Sequence, residues 1–183
     1  MIALHPWSDK DLPVLEKTLG NAEVMQHLGG IEDPRAILAR HRSYLALALP
    51  EGRMFTISVA AEPAIVGTIG FWETTWHGEA IYETGWMVLP AYTGCGIATQ
   101  AALCLIQQVR SLRRHRFLHA FPAVDNVASN SVCRKAGFVN QGKCEVEFPK
   151  GHFMCSNDWR IDLLHPEPSS PTAGAAELGL VEP

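Results

Sequence analysis

The sequence ETGWMVLPAYTGCGIATQ occupies residues 83–100 and decides the fold of this chain. Its first half is apolar and aromatic and ends at Pro90, which has no N–H for a sheet ladder, so it predicts a strand. The chain then turns at Gly94 and Gly96, and apolar residues recur with helical spacing from Ile97 onward. Glycines let backbone N–H groups approach an anion closely, and the N-terminus of a helix attracts negative charge. The stretch therefore predicts a strand–turn–helix unit that binds a phosphate group.

Two familiar phosphate-binding loops fit this turn poorly. A Walker loop requires a Lys after its last glycine, and no Lys or Arg lies between Arg53 and Arg110. A dinucleotide-binding loop requires G-x-G-x-x-G/A, and after Gly94 and Gly96 the third position is Thr99. The acidic residue expected some twenty positions later is also missing. An ordinary tight turn between a strand and a helix remains an open alternative.

Two motifs of the chain together resemble the GNAT N-acetyltransferases. The acyl-CoA loop of that family reads Arg/Gln-x-x-Gly-x-Gly/Ala, and residues 93–98 (TGCGIA) match it at Gly96 and Ala98, with Thr93 at the first position. Residues 126–138 (NVASNSVCRKAGF) resemble the second signature of the family, an Asn-x-x-Ser sequence followed by Gly-Phe. The stretch quoted first resembles the branch of the family that acetylates the N-termini of ribosomal proteins.

The resemblance covers about residues 54–163 and implies an α/β fold of the mixed α+β type. This GNAT fold has a central mixed, mostly antiparallel sheet with one splayed parallel strand pair and flanking helices. Strand 81–89, helix 97–112 and strand 117–121 form a βαβ unit, so these two strands should be parallel. Other predicted strands are 1–7, 54–60, 65–73, 138–148 and 159–164, and other predicted helices are 8–19, 34–49 and 126–136. The helix 34–49 is predicted to bury one apolar face, formed by Ile37, Leu38, Leu45 and Leu49.

Composition limits the classes of function open to the chain. It has 183 residues, 47% of them apolar and 19% charged, which predicts one globular domain over residues 1–164 and a disordered tail over residues 165–183. A net charge of −4 gives no general affinity for nucleic acid. The five cysteines contain no C-x-x-C pair, which favours reduced thiols in the cytoplasm over disulfides or a zinc site. No signal peptide or membrane-spanning helix is predicted, and His77 and His119 lack metal-ligand spacing, so no metal is assigned.

The resemblance implies a set of residues that bind acetyl-CoA as co-substrate. Backbone groups of Met87 and Val88 would bind the pantetheine, with the Val88 N–H facing the thioester oxygen. N–H groups of the loop and first helical turn would hold the pyrophosphate, and these residues are Thr93, Gly94, Cys95, Gly96, Ile97, Ala98 and Thr99. Asn126 and Asn130 match family positions near the pantetheine and the acceptor groove, although Asn126 also suits a helix cap.

Acetyl transfer to an amine implies a proton acceptor and a proton donor. In this family the amine attacks the thioester directly and no acyl-enzyme forms. An amine titrates near about pH 10, so a base must remove its proton. Glu83 is the leading candidate base, and a solvated or ion-paired carboxylate is the alternative. Ser129 is the candidate acid for the leaving thiolate, and a hydroxyl that stabilises the first helical turn is the alternative. Many relatives use a tyrosine where this chain has Cys133.

The sequence therefore predicts an N-acetyltransferase that acts on a primary amine. The acceptor is either a protein N-terminus, as the resemblance to the ribosomal branch suggests, or a small amine. Relatives often form homodimers, so a homodimer is a possible assembly, while nucleic-acid and membrane partners are not expected. A non-catalytic module that binds acyl-CoA remains the alternative, because Thr93 and Cys133 depart from the family pattern.

Overall fold

The computed structural model describes residues 2–60, 62–148, 151 and 153–164. The predicted tail, residues 165–183, lies outside the described residues. The strands are β1 Ile2–Pro6, β2 Gly52–Val59, β3 Glu62–Trp76, β4 Glu79–Val88, β5 Phe117–Ala120, β6 Val139–Glu147 and β7 Phe153–Asp162. The helices are α1 Leu12–Leu19, α2 Ala22–Met25, α3 Pro34–Ala46, α4 Ile97–Leu112 and α5 Val127–Lys135, with 3₁₀ turns at Asp9–Asp11 and Pro90–Tyr92.

The seven strands form one sheet in the order β1-β2-β3-β4-β5-β7-β6. Neighbouring strands are antiparallel except for β4 and β5, which are parallel as the βαβ pattern predicts. This parallel pair is short, since only Tyr82 with Leu118 and Glu83 with His119 are paired. Beyond Glu83 the two strands separate and leave an opening in the middle of the sheet. The mixed sheet with a splayed parallel pair is the predicted fold class.

Helices cover both faces of the sheet. The larger core lies beneath α4 and α5, where Leu105, Ile106 and Cys133 pack against strand residues that include Phe71 and Tyr82. A second core lies on the opposite face, among the side chains of α1, α2 and α3, and its residues are Leu15, Leu19, Met25 and Ile37. Met87 of β4 packs against this second core. Because side chains alternate along a strand, Glu83, Gly85 and Met87 share the face that carries α1–α3.

The start of α4 depends on glycine backbone geometry. Gly94 and Gly96 have φ angles of 77° and 75°, which L-residues with a Cβ seldom adopt. A Cβ added to Gly94 would meet no atom within 4 Å, so the backbone angle and not crowding requires glycine there. Gly96 is the N-cap of α4, and buried Ile97 begins the helix at the predicted residue.

Four details differ from the sequence predictions, and the first is that β7 begins at Phe153, six residues before the predicted start at Trp159. The helix α3 ends at Ala46, before the predicted Leu49, and of its four predicted core residues only Ile37 is buried. The three that are exposed are Leu38, Leu45 and Leu49. His41 is buried instead, because its Nδ1 accepts a 3.1 Å hydrogen bond from the Trp7 indole. The strand β3 continues to Trp76, since His77 and Gly78 close a tight hairpin turn with positive φ angles. The short helix α2 was not predicted.

Candidate active site

The opening between β4 and β5 leads to the predicted phosphate loop. Residues 84–88 of β4 have no pairing with β5 within the described chain. At the carboxyl end of β4, Thr93, Gly94, Cys95 and Gly96 are exposed. Hydrogen bonds within the loop hold its conformation. The Thr93 hydroxyl donates a 2.9 Å hydrogen bond to the Pro90 carbonyl, and the Cys95 thiol donates to the Thr93 carbonyl at 3.6 Å. The exposed glycine turn therefore lies at the N-terminus of a 16-residue helix.

This loop has the features that a diphosphate requires. The first N–H groups of a helix have no partner inside the helix, and here they belong to Ile97, Ala98 and Thr99. The dipole of α4 adds positive potential at the same point. No basic side chain is needed for such a site, which suits a loop with Thr93 at the position of Arg or Gln. The residues present fit the pyrophosphate of a coenzyme A molecule.

Glu83 occupies the last paired position before the opening. It is half-buried on the face that carries α1–α3 and lies opposite Trp72 in the β3–β4 pair. Burial raises the pKa of Glu83 to about 7, and a hydrogen bond with the Trp72 side chain opposes part of that rise. A carboxyl group with such a pKa takes up and releases a proton near neutral pH. Its position and its pKa are those that a general base requires.

Ser129 and Asn126 lie at the start of α5. The Asn126 side chain is the N-cap, because its Oδ1 accepts a 2.9 Å hydrogen bond from the Ser129 N–H. Ser129 is half-buried, and its hydroxyl makes no hydrogen bond to any of the described residues. That hydroxyl is available to a ligand, whereas the Asn126 carbonyl is already engaged in capping.

All the hydrogen-bonding groups of the Asn130 side chain are bonded to other residues of the protein. Its amide hydrogens bond to the carbonyls of Ala123 and Asn126 at 2.9 and 2.8 Å. Its Oδ1 accepts from the Asn157 amide at 2.7 Å and from the Trp159 indole at 2.8 Å. These four bonds use all the hydrogen-bonding capacity of the side chain. Asn130 therefore holds the α5 N-terminus against the β5–α5 loop and β7, and any contact with pantetheine would go through the backbone it positions.

Cys133 lies inside the main core. The residue is fully buried, and desolvation raises the pKa of its thiol to about 12. A thiol in this environment stays protonated and has no path to a reacting group. Cys133 therefore does not replace the tyrosine of the relatives, and Ser129 remains the candidate acid on α5.

An open groove lies between the segment after α2, the β5–α5 loop and β7. It has a volume of about 520 Å³. Its lining residues come from the segment after α2, the β5–α5 loop and β7, and they are Gln26, His27, Gly29, Ala123, Val124, Asp125, Met154 and Cys155. Two of these side chains are in contact, with Nδ1 of His27 lying 3.2 Å from Oδ1 of Asp125. A smaller cavity of about 140 Å³, between β2, β3 and the end of α4, lies away from the opening.

Four aromatic residues of β3 and β4 are divided between the two faces of the sheet. Tyr82 is core, and its hydroxyl donates a 2.6 Å hydrogen bond to the Pro50 carbonyl. Trp86 packs against the main core beneath α4. Trp72 and Trp76 lie on the other face, which they share with Glu83.

A buried group near Glu83 was not recognised in the sequence. The Nδ1 of His119 lies 2.7 Å from Oδ1 of Asp158, and the Trp76 indole donates a 3.0 Å hydrogen bond to Oδ2 of the same carboxylate. Burial opposes ionisation of Asp158, but its bonds with His119 and Trp76, together with nearby Arg160, hold its pKa below the ordinary value. These contacts join residues 39 and 82 positions apart, so no local spacing predicts them.

Charged residues after α4 are neutralised by acids on the sheet. Arg114 and His115 both bond to the Glu73 carboxylate, and Arg116 bonds to Asp162 at 2.9 Å. Within the described residues, no group of three His, Cys, Asp or Glu side chains is arranged to hold a metal ion. No described helix is long and apolar enough to cross a membrane.

Comparison with known proteins identifies the family to which this architecture corresponds. The sequence profile of the acetyltransferase (GNAT) domain matches residues 2–139. An uncharacterized N-acetyltransferase of Bacillus subtilis, YnaD, is 25% identical over 163 residues, which are 86% of this chain and 88% of that protein.

Two solved structures share the fold at low sequence identity. One is the Salmonella typhimurium acetyltransferase that modifies the N-terminal serine of the 50S ribosomal subunit protein L7/L12. It has a TM-score of 0.71 and 20% identity, covering 88% of this chain and 94% of its own. The other is the spermidine N-acetyltransferase of Vibrio cholerae in complex with CoA and spermine. It has a TM-score of 0.71 and 16% identity, covering 88% of this chain and 95% of its own.

Proposed function

Because this chain belongs to the acetyltransferase (GNAT) domain family and is an acetyl-CoA-dependent N-acetyltransferase, we propose that it transfers the acetyl group directly to a primary amine, without an acyl-enzyme. The observation that carries this proposal is the position of Glu83, which occupies the last paired rung before the β4–β5 opening and has a pKa of about 7. No cysteine or serine with an adjacent base is seen there among the described residues. A covalent acyl-enzyme would need such an activated nucleophile.

Acetyl-CoA supplies the activated acetyl group as a thioester. In this proposal its pyrophosphate lies against the glycine turn and the first N–H groups of α4, over residues 93–99. Its pantetheine lies along the unpaired edge of β4 beside Met87 and Val88. The backbone groups of Val88 face that edge and offer hydrogen bonds, whereas those of Met87 face β3. The Val88 N–H then faces the thioester oxygen and stabilises the negative charge that develops there. Asn126 and Asn130 hold the turn that closes the opening from the α5 side.

Glu83 and Ser129 carry the proton transfers in this proposal. Glu83 accepts a proton from the acceptor ammonium, directly or through one water, and so generates the neutral amine that attacks. Its raised pKa suits this task because a base works best when its pKa lies near the working pH. Ser129, whose hydroxyl has no partner in the described chain, donates a proton to the leaving thiolate.

The acceptor in this proposal is a cationic primary amine, either at a protein N-terminus or on a small molecule. The groove of about 520 Å³ is open enough for an extended chain, and the Asp125 carboxylate in its lining favours a positive charge. The similar solved structures are named for both kinds of acceptor, a protein N-terminal serine and spermidine. We further infer a cytoplasmic location, because the described cysteines are all free thiols.

The direct test is an assay of thiol release from acetyl-CoA with a panel of amines. The panel contains serine-, alanine- and methionine-initiated peptides, spermidine and an aminoglycoside, with a peptide blocked at its N-terminus as control. The proposal requires turnover with at least one free amine and mass-spectrometric detection of its N-acetyl product. Tight CoA binding without turnover across the panel would instead support the non-catalytic module. Accumulation of acetylated protein in the absence of an amine would contradict direct transfer.

A further inference from the structure

Acetylation of an ammonium ion has a proton requirement that one base cannot meet in a single step. The ammonium nitrogen carries three protons and the product amide nitrogen carries one. One proton must leave before attack, because only the neutral amine has a free electron pair. Another must leave the nitrogen after the C–N bond forms. A single carboxylate at the site would have to release the first proton to solvent before it could accept the second.

A second titratable side chain lies directly beside Glu83. His119 is its partner in the β4–β5 pair, and this is the last rung before the strands separate. Partners in neighbouring strands point to the same side of a sheet, so both side chains lie on the face that carries α1–α3. The main core receives Leu118 and Ala120, the neighbours of His119, on the opposite face. Glu83 and His119 therefore stand together at the apex of the opening.

The surroundings of His119 fix its orientation and its tautomer. The Asp158 carboxylate lies 2.7 Å from Nδ1 and is itself held by the Trp76 indole. An ionised carboxylate only accepts hydrogen bonds, so Nδ1 carries the proton in the neutral ring. Nε2 is then the ring nitrogen that can take up a proton. The ring is 4% exposed and stacks against Phe121 at 5.7 Å, which restricts its motion.

The charges around this ring favour a proton acceptor. Glu83 on β4 and Asp158 on β7 are acidic, and the charged group of opposite sign is Arg160, the β7 partner of His119. The Arg160 guanidinium is engaged over the Phe117 ring at 4.2 Å. The Asp158 carboxylate at 2.7 Å therefore stabilises the imidazolium that forms when Nε2 takes a proton.

We propose that His119 is a second proton acceptor of the acetyl-transfer reaction, working beside Glu83 on the reacting nitrogen. This inference rests on the proposed function of the site. An N–H bond of the ammonium breaks, its electron pair stays on nitrogen, and Glu83 takes the proton. The amine then forms a bond to the thioester carbon and the C–S bond breaks. Nε2 of His119 takes the second proton from nitrogen, the thiolate receives one from Ser129 or water, and one net proton reaches solvent.

The alternative is that the His119–Asp158 pair only fastens β5 to β7. The two roles predict different measurements. If the pair is only structural, the NMR signals of His119 should not respond to the ionisation of Glu83, and replacing His119 should not alter the pH profile of turnover. The first experiment needs no acceptor. In the ligand-free protein, the His119 ring ¹⁵N and ¹³C NMR signals are followed from about pH 5 to about pH 9, a range that brackets the ionisation of Glu83 near pH 7. We expect these signals to change as Glu83 ionises, and we expect that change to be absent from the Glu83→Gln variant.

The second experiment measures turnover with serine-initiated peptide and spermidine as probes. His119→Gln should lower kcat by roughly 100-fold, the lower end of the range for one proton-transfer group, and should alter the pH profile. Its affinity for CoA should be unchanged. The matched control is His5→Gln, which replaces an exposed histidine on β1 and should leave both quantities unchanged. Asp158→Asn keeps the imidazole but removes the acceptor that fixes its tautomer, so it should also lower kcat if His119→Gln fails to fold.

Two outcomes would overturn the inference. One is a His119 NMR response that is the same in the wild-type protein and in the Glu83→Gln variant, since the two groups would then not share a proton-transfer site. The other is turnover and a pH profile in folded His119→Gln or Asp158→Asn that match those of the wild-type protein. Absence of turnover with every amine would contradict the proposed function, while the NMR result would still decide whether Glu83 and His119 are coupled.

Discussion

The Trp72 side chain hydrogen bonds to the Glu83 carboxylate across the β3–β4 pair, where the two residues lie directly opposite each other. This bond stabilises the ionised carboxylate, whereas burial stabilises the protonated form. Burial is the larger effect, so the pKa of Glu83 rises to about 7. Burial and the hydrogen bond with Trp72 together thus set the pH range over which the Glu83 carboxyl group ionises.

Removing the basicity of Glu83 should abolish most of the turnover. Glu83→Gln keeps the size of the side chain and should lower kcat by roughly 10²–10⁴-fold, as for other general bases. The affinity for CoA, measured by calorimetry, should stay the same. The acidic limb of the pH–rate profile should also disappear. Glu79→Gln replaces an exposed carboxylate on the same strand and should behave as wild type; near-normal turnover in Glu83→Gln would reassign the base.

Removing the indole hydrogen bond should shift the pH dependence without abolishing it. The bond with Trp72 lowers the pKa of Glu83, so Trp72→Phe should raise that pKa further above 7. The acidic limb of the pH–rate profile should then move to higher pH, because more alkaline conditions are needed to ionise the base. Trp86→Phe is the control, since Trp86 packs beneath α4. A shift to lower pH would show that Trp72 acts on Glu83 in another way.

The ionised Glu83 carboxylate should make the folded protein less stable at neutral pH than at acidic pH. The folded protein binds the Glu83 proton more tightly than the unfolded chain does, so stability is lost as pH rises from about 4.5 to about 7. The shift corresponds to at most about 3 kcal/mol. Glu83→Gln should therefore raise the free energy of unfolding more on the alkaline side of this range than on its acidic side, as measured by urea denaturation. An equal effect on both sides would show that the carboxylate is solvated.

The affinity for CoA should depend on Gly96. Gly96→Asp introduces a Cβ at a φ of 75° and a negative charge at the N-terminus of α4, where the pyrophosphate is proposed to lie. Calorimetry should detect no CoA binding by a variant that still folds. Gly78→Asp is a matched control, because Gly78 has a φ of 81° and lies in the β3–β4 hairpin turn. If both variants bind CoA equally, the loop is an ordinary turn.

Ser129 should affect turnover and Cys133 should affect stability. Ser129→Ala removes a hydroxyl with no partner among the described residues, so kcat should fall while the melting temperature stays constant. Cys133→Ala leaves a cavity in the main core and should lower the melting temperature with little effect on kcat. Ser131→Ala, on the same helix, is the control. Unchanged kcat in Ser129→Ala would assign protonation of the thiolate to solvent.

The sequence predicted the elements whose signals are local. The glycine turn and the helical period gave α4 its bounds, and the βαβ pattern gave the parallel pairing of β4 with β5. For helix α3 the sequence predicted too many residues and the wrong buried face. The side chains that this helix buries are determined by contacts with residues far away in the sequence. The buried position of His41 depends on Trp7, which lies 34 residues away.

Residues of the candidate site were predictable only where they lie close together in the sequence. Glu83 belongs to the strand that enters the glycine turn, so alternation placed it beside Gly85 and Met87. Its pKa depends on burial and on the hydrogen bond with Trp72, and neither can be predicted from the residues next to it in sequence. His119 and Asp158 meet because β5 pairs with β7, and strand order is not encoded in any short motif.

The separation of β4 from β5 also gives the sheet two additional edges, and these lie in the middle of the molecule. An exposed edge is a hazard, because its free N–H and C=O groups can pair with a strand of another protein. Here the free edge of β4 is short, and helices cover both faces of the sheet around it. Those backbone groups are thus accessible to a narrow ligand and sterically closed to a foreign strand. The interruption that creates a binding site in this enzyme does not create a site for aggregation.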